Sequence, residues 1–142
     1  MSMSYTQEIM LHSLAARAAI EDLDARHGRA YEEGDADAWV STFTHSGASF
    51  RRVGEEPLRG SGLRTAFQTW KGRVHLTFDQ VIAVDGVQAT QQCRFLVLTP
   101  GADGDRVVEA SGRYHDELVY ERGAWYLQTR RVILDGAAAA GR

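Results

Sequence analysis

From Thr6 to Glu33 the chain runs without proline and is rich in Ala, Leu, Glu and Arg. Leu14, Ala18, Leu23, Ala30 and Tyr31 recur at steps close to three and four, which predicts a long amphipathic helix with His27 on its apolar stripe. Gly28 either weakens that helix or lets another element come close. Gly34 stops it, and Asp35 or Asp37 caps a second, short helix running to about Phe43. A short strand follows over Ala48–Val53, then a loop at Glu55-Glu56-Pro57. Gly60-Ser61-Gly62 leads into a third helix, about Leu63–Lys71, with Ser61 as its N-cap. From Arg73 the period changes from helical to extended. Val74–Val84 and Val87–Leu98 read as strands joined at Asp85-Gly86, a strong two-residue hairpin signal. Thr99–Asp105 is a longer hairpin loop, Arg106–Tyr120 a third long strand, and Glu121-Arg122-Gly123 a turn into a fourth, Trp125–Leu134.

Helices first and a meander of hairpin-linked strands last predict an α+β fold, with N-terminal helices packed in a curved antiparallel sheet. Such a sheet offers one face to helices and one to solvent or a partner. Curled around the long helix it becomes a cone with an open pocket. We expect a single domain over 1–142, with about 136–142 as a flexible tail.

The totals narrow the function. The chain has 142 residues, 44% of them apolar and 25% charged, as in an ordinary soluble domain with one core. A net charge of -3 carries no basic excess, so neither nucleic acid nor an anionic membrane is an expected partner. The one cysteine, Cys93, falls in a strand and reads as a small core residue. No segment looks like a leader or a membrane span, so the expected location is the cytoplasm. No two histidines stand at ligand spacing on one element, so no metal is expected. Gly60-Ser61-Gly62 lacks the lysine and preceding strand of a phosphate-binding loop, and no nucleophile elbow is present.

Several stretches together carry a resemblance. They are Arg26-His27 through Tyr31-Glu32-x-Gly34-Asp35 to Phe43-Thr44, Gly60 before a helix, and Arg73-x-His75-x-x-x-Asp79 before Val84-Asp85-Gly86. The last is Gly112-Arg113-Tyr114-x-Asp116-x-Leu118-Val119 followed by Gly123-x-Trp125 and Arg130. In order and spacing they resemble the SnoaL-like branch of the nuclear-transport-factor-2-like superfamily, over about Ile9 to Asp135. At the site the resemblance is to its scytalone-dehydratase and bile-acid-dehydratase members. There an adjacent Tyr-Asp pair ends the first helix and a His precedes the first long strand. Tyr31-Glu32 and His75 fall at those places, Glu32 standing for the family Asp, and His27 falls where the bile-acid enzymes have a Tyr. The ketosteroid-isomerase pattern is not matched, because Arg51-Arg52 stands where its base should be. Arg113 and Asp116 are spaced wrongly for the Arg-x-Asp of epoxide hydrolases.

The resemblance implies acid–base chemistry without a cofactor. Eliminating water needs a base for a proton beside a carbonyl and an acid for the leaving hydroxyl, and one histidine held by a carboxylate can serve as both. His75 would be that group, Glu32 its orienting partner, and Tyr31 a donor to substrate oxygen. On an ideal helix Glu32 sits off the Leu23–His27–Tyr31 stripe, so periodicity alone places it in solvent. His27, Arg94, His115, Asp116 and Trp39 form the candidate substrate-binding set. Arg94 and His115 depend on strand register, and Asp116 also reads as a structural partner of Arg130. The expected function is a lyase, cyclase or isomerase, dehydratase-like, acting on a hydrophobic oxygenated ring compound such as a polyketide or steroid-like molecule. Homodimers through the sheet are expected. The alternative is a non-catalytic binding or assembly domain of the same fold, and a Glu32–His75 contact in one closed pocket separates the two.

Overall fold

The computed structural model describes residues 2–136. Helix α1 spans Tyr5–Glu33 and opens on a capping box in which the Ser4 and Gln7 side chains each bond the other's backbone. It ends at Gly34, whose φ of 69° is the left-handed conformation that lets the chain turn out of a helix at little cost. Asp35 then caps α2 (Ala36–Val40) by accepting from the Ala38 N–H. Strands β1 (Ser49–Arg52) and β2 (Leu58–Arg59) lead to α3 (Gly62–Gln68). Ser61 occupies the N-cap of α3, but its side chain makes no capping bond. Four long strands follow: β3 (Val74–Asp85), β4 (Gln88–Pro100), β5 (Arg106–Glu121) and β6 (Ala124–Leu134). The expected tail beyond Gly136 lies outside the described residues.

The sheet order is β2-β1-β6-β5-β4-β3. The four long strands pair antiparallel in sequence, as the hairpin signals require. The sheet is nonetheless mixed, because β1 runs parallel to β6, with Phe50 opposite Arg130. No hairpin signal could announce that pair, since its two strands are separated by most of the chain. Helices at the start and an unclosed six-stranded sheet make the expected α+β cone.

Alternation decides which side chains enter the cone. On β4, Ala89, Gln91, Cys93, Phe95 and Val97 are buried and their neighbours face out. On β5, Tyr114, Asp116 and Leu118 are buried, while Arg113 and Glu117 are exposed. A bulge in β3 between Phe78 and Val81 holds Asp79 at φ 54°. The buried face of α1 is Ala16, Ile20, Leu23, Asp24, His27, Gly28, Ala30 and Tyr31. Leu14 and Ala18, expected on the stripe, are exposed; the true stripe runs through Ala16 and Ile20 and includes an aspartate. Gly28 is where helix and strand touch, because a Cβ there would lie 2.8 Å from the His75 carbonyl oxygen. Among the described residues no helix is long and apolar enough to cross a membrane.

Candidate functional site

Three elements bring the chemistry together. The inward face of α1 supplies Asp24, His27 and Tyr31, and α2 with the turn after it supplies Trp39 and Thr42. The concave face of the sheet supplies His75, Gln91, Tyr114, Asp116 and Arg130. All ten are buried.

The deepest part is a charged group. Arg130 donates from Nε to Asp116 Oδ1 (2.9 Å) and from Nη2 to Asp116 Oδ2 (2.9 Å) and Asp24 Oδ1 (3.0 Å). The Gln91 amide joins the two acids, donating to Asp24 at 3.1 Å and to Asp116 at 2.9 Å. Burial works against the Arg130 charge, but the adjacent Asp116 and Asp24 outweigh it and hold its pKa well above the usual value. Burial pushes Asp24 up, more than Arg130 pulls it down. The arginine lies over the Tyr114 ring, Cζ 3.9 Å from the centroid.

Above this group stands a cluster of rings. His27 lies 4.9 Å from Trp39, 5.4 Å from Tyr31 and 6.1 Å from His75, centroid to centroid. Tyr31 stacks on Phe67 at 5.4 Å. The hydrogen bonds fix the histidine tautomers. Thr42 donates its hydroxyl proton to the Trp39 carbonyl (2.6 Å), so its oxygen accepts from His27 Nδ1–H at 2.9 Å. His27 Nε2 is therefore a bare lone pair, buried and unpartnered. Tyr114 has no other acceptor among the described residues, so its hydroxyl donates to His75 Nε2 (2.6 Å) and the His75 proton sits on Nδ1. Burial, reinforced by Arg130, holds His75 down at about 3 and His27 well below its usual value, so both rings are neutral at physiological pH.

Tyr31 Oη, Trp39 Nε1, His75 Nδ1 and Arg130 Nη1 are also buried without partners. Gln91 Oε1 is unpartnered as well; a native interior pairs its buried polar groups with protein or with water, so these two acceptors and four donors are open to a water or a ligand. A cleft of about 480 Å³ opens between α2 and β1, lined by Val40, Phe43, Thr44, Ala48 and Leu63 among others. Phe43 lines it, and the ring of His27, which does not line the cleft, lies 5.8 Å from the Phe43 ring, centroid to centroid.

The predicted residues divide accordingly. Tyr31, His75, His27, Trp39 and Asp116 come together in the interior. Glu32 does not: it is exposed on the far side of α1, one step of about 100° past Tyr31, and His75 bonds Tyr114 in its place. The helix ends at Glu33 too late to turn Glu32 inward. Arg94 faces outward with 57% of its side chain exposed and meets Asp79 at 3.7 Å. His115 lies between the inward Tyr114 and Asp116 and so faces out, beside Gln92 and Arg131. Asp24 and Gln91 were missed. A signal existed for Asp24, which lies on the Ile20–Leu23–His27–Tyr31 stripe, a costly place for a carboxylate without a partner. Among the described residues no group of three His, Cys, Asp or Glu could hold a metal.

Solved structures share this architecture. A variant of Rv3472 from Mycobacterium tuberculosis, a protein of unknown function, is 27% identical with a TM-score of 0.75, over 95% of this chain and 78% of that one. An NTF2-like protein with a cystatin-like fold from Novosphingobium aromaticivorans is 23% identical with a TM-score of 0.84, covering 99% and 96%. A Catenulispora acidiphila protein in complex with S-DNPA is 25% identical with a TM-score of 0.77, covering 89% and 98%. Among curated proteins none is similar enough in sequence to match. The SnoaL-like domain model matches residues 12–131, helix α1 to strand β6. The chain belongs to the SnoaL-like family.

Proposed function

We propose that the protein is a cofactor-independent lyase, cyclase or isomerase that carries out acid–base chemistry on a hydrophobic, oxygenated ring compound, polyketide-like or steroid-like, held inside the cone. The observation that carries this reading is the convergence of unpartnered buried polar atoms within one aromatic cluster. The similar Catenulispora acidiphila protein was solved in complex with S-DNPA.

In this reading His27 and His75 move protons while Tyr31 and Trp39 hold substrate oxygen. A proton leaves a carbon beside a carbonyl for a neutral imidazole nitrogen, and a leaving hydroxyl takes a proton back and departs as water. A low pKa makes a weak base, but negative charge developing on the substrate oxygen strengthens it during the reaction. Thr42 and Tyr114 take the orienting role expected of Glu32. We also propose homodimers through the outer sheet face, where Leu76, Phe78 and Val81 are exposed, and a cytoplasmic location.

The position of Glu32 favours a second reading, a non-catalytic binding domain of the same fold. Deuterium exchange separates the two. Cyclic β-hydroxyketones in heavy water, followed by NMR and mass spectrometry, should lose water or exchange the protons beside the carbonyl, and His27→Gln with His75→Gln should abolish this. Ketones that bind without exchange or water loss would establish the binding domain.

A further inference from the structure

Helix α1 changes character along its outer side. At about 100° per residue, Gln7, Leu11, Leu14, Ala18, Glu21 and Ala25 share the side that points away from the buried Ala16–Ile20–Leu23–His27 stripe. Toward the C-terminal end this side carries Glu21, Arg29 and Glu32, as water requires. Toward the N-terminal end it is apolar: Leu11 and Leu14 are 52% and 63% exposed, and Met10 beside them is 58% exposed. From Tyr5 to Ala15 no residue of the helix is buried. Yet the capping box at Ser4 and Gln7 builds the helix from its first turn, so these side chains are held in a fixed row.

A contiguous apolar row of this kind marks a contact surface. An anionic lipid surface does not fit it, because no lysine or arginine precedes Arg17 from Ser2 onward, while Glu8 and a net charge of -3 oppose such headgroups. A second α1 does. Positions 7, 11, 14, 18 and 21 alternate steps of four and three, the seam of paired helices.

We infer that two copies of the chain pair through α1, antiparallel, about a two-fold axis between His12 and Ser13. Leu11 then meets the partner's Leu14, Gln7 meets the partner's Ala18, and the helices overlap from Ser4 to Glu21, about 27 Å. The same offset sets Glu21 and Asp22 against the first turn of the partner's helix, the positive end of its macrodipole. A parallel pair would put Glu21 on the partner's Glu21 and align the two dipoles unfavourably. Each buried stripe faces its own sheet, so the two cones lie on opposite outer sides of the helix pair. This contact is separate from the sheet face proposed above: alone it makes a dimer, and with the sheet contact a tetramer.

The test is the mass of the full chain by sedimentation, at about 100 μM because an interface of one helix per copy is small. The wild type is expected to sediment as a dimer or a tetramer, and the double variant Leu11→Glu with Leu14→Glu at half that mass. Both side chains are exposed, so the variant keeps its core, which circular dichroism verifies. The register is read by mixing Gln7→Cys and Ala18→Cys proteins with a short bismaleimide. The mixture should cross-link, and either variant alone should not, because like positions then lie about 16 Å apart along the helices; Cys93 is buried and does not compete. A wild-type monomer overturns the inference, with or without binding to neutral lipid vesicles. So does an assembly whose mass the double variant leaves unchanged, which would place the contact on another face such as the sheet. Cross-linking as strong in a single variant as in the mixture overturns the antiparallel register.

Discussion

Asp24 and Arg130 are 106 positions apart in the chain and meet at 3.0 Å in the middle of the cone. The contact ties the first helix to the last strand, and neither side chain is exposed to solvent. A buried ion pair of this kind contributes little over a well-packed apolar pair, but it is costly to break from one side. Arg130→Met leaves two acids facing each other and should cost about 3–5 kcal/mol in urea denaturation. Asp24→Asn keeps the shape and resembles the protonated acid, so it should cost less than about 2 kcal/mol. Equal losses would mean that the two acids are not competing for one cation.

The buried histidines set the acid sensitivity. His75 falls from 6.5 to about 3 on folding, and His27 is lowered in the same direction. Between those limits the unfolded chain binds protons that the folded chain refuses, so stability is full above about 6.5 and declines as pH falls toward 3. The slope is about 1.4 kcal/mol per pH unit for each histidine. Asp24 acts the opposite way, because a raised carboxylate favours the folded state at low pH, and it offsets part of the loss. Stability measured from pH 7 down to pH 4 should fall, and less steeply in His75→Gln.

Thr42 decides which nitrogen of His27 is bare. Thr42→Val removes the acceptor for Nδ1–H, so the Nε2–H tautomer should gain population at a cost of about 1 kcal/mol. Long-range ¹⁵N–¹H correlation spectra read the tautomer directly; an unchanged Nδ1–H form in the variant would show that Thr42 is not what holds it.

Glu32→Gln should leave the His75 resonances in place and change stability by less than about 0.5 kcal/mol, as expected for a surface position. A His75 shift in that variant would restore the dyad suggested by family resemblance.

Local features were legible because local physics fixes them. Gly34-Asp35 ends one helix and caps the next, Asp85-Gly86 closes a hairpin, and alternation along β4 sorts its faces. What could not be read depends on distance or on phase. The parallel β1–β6 pair joins segments with no local signal. Glu32 follows Tyr31 by one residue, and that single step separates core from solvent on a helix. His115 and Asp116 differ in the same way on a strand, where the faces swap at every residue. Asp24 was hidden among Glu21, Asp22 and Arg26, which are exposed; only its place on the stripe distinguished it.

The contact between Gly28 and the His75 carbonyl has a mechanical consequence. With no side chain between them, α1 and β3 rest backbone against backbone, and that side of the cone cannot part without losing its tightest contact. Helix α2, five residues long, lies between Gly34 and the turn after Ser41. The seam therefore fixes how far α1 stands from the sheet, and α2 is tied to the same position because Trp39 packs on His27 and Tyr31 of α1.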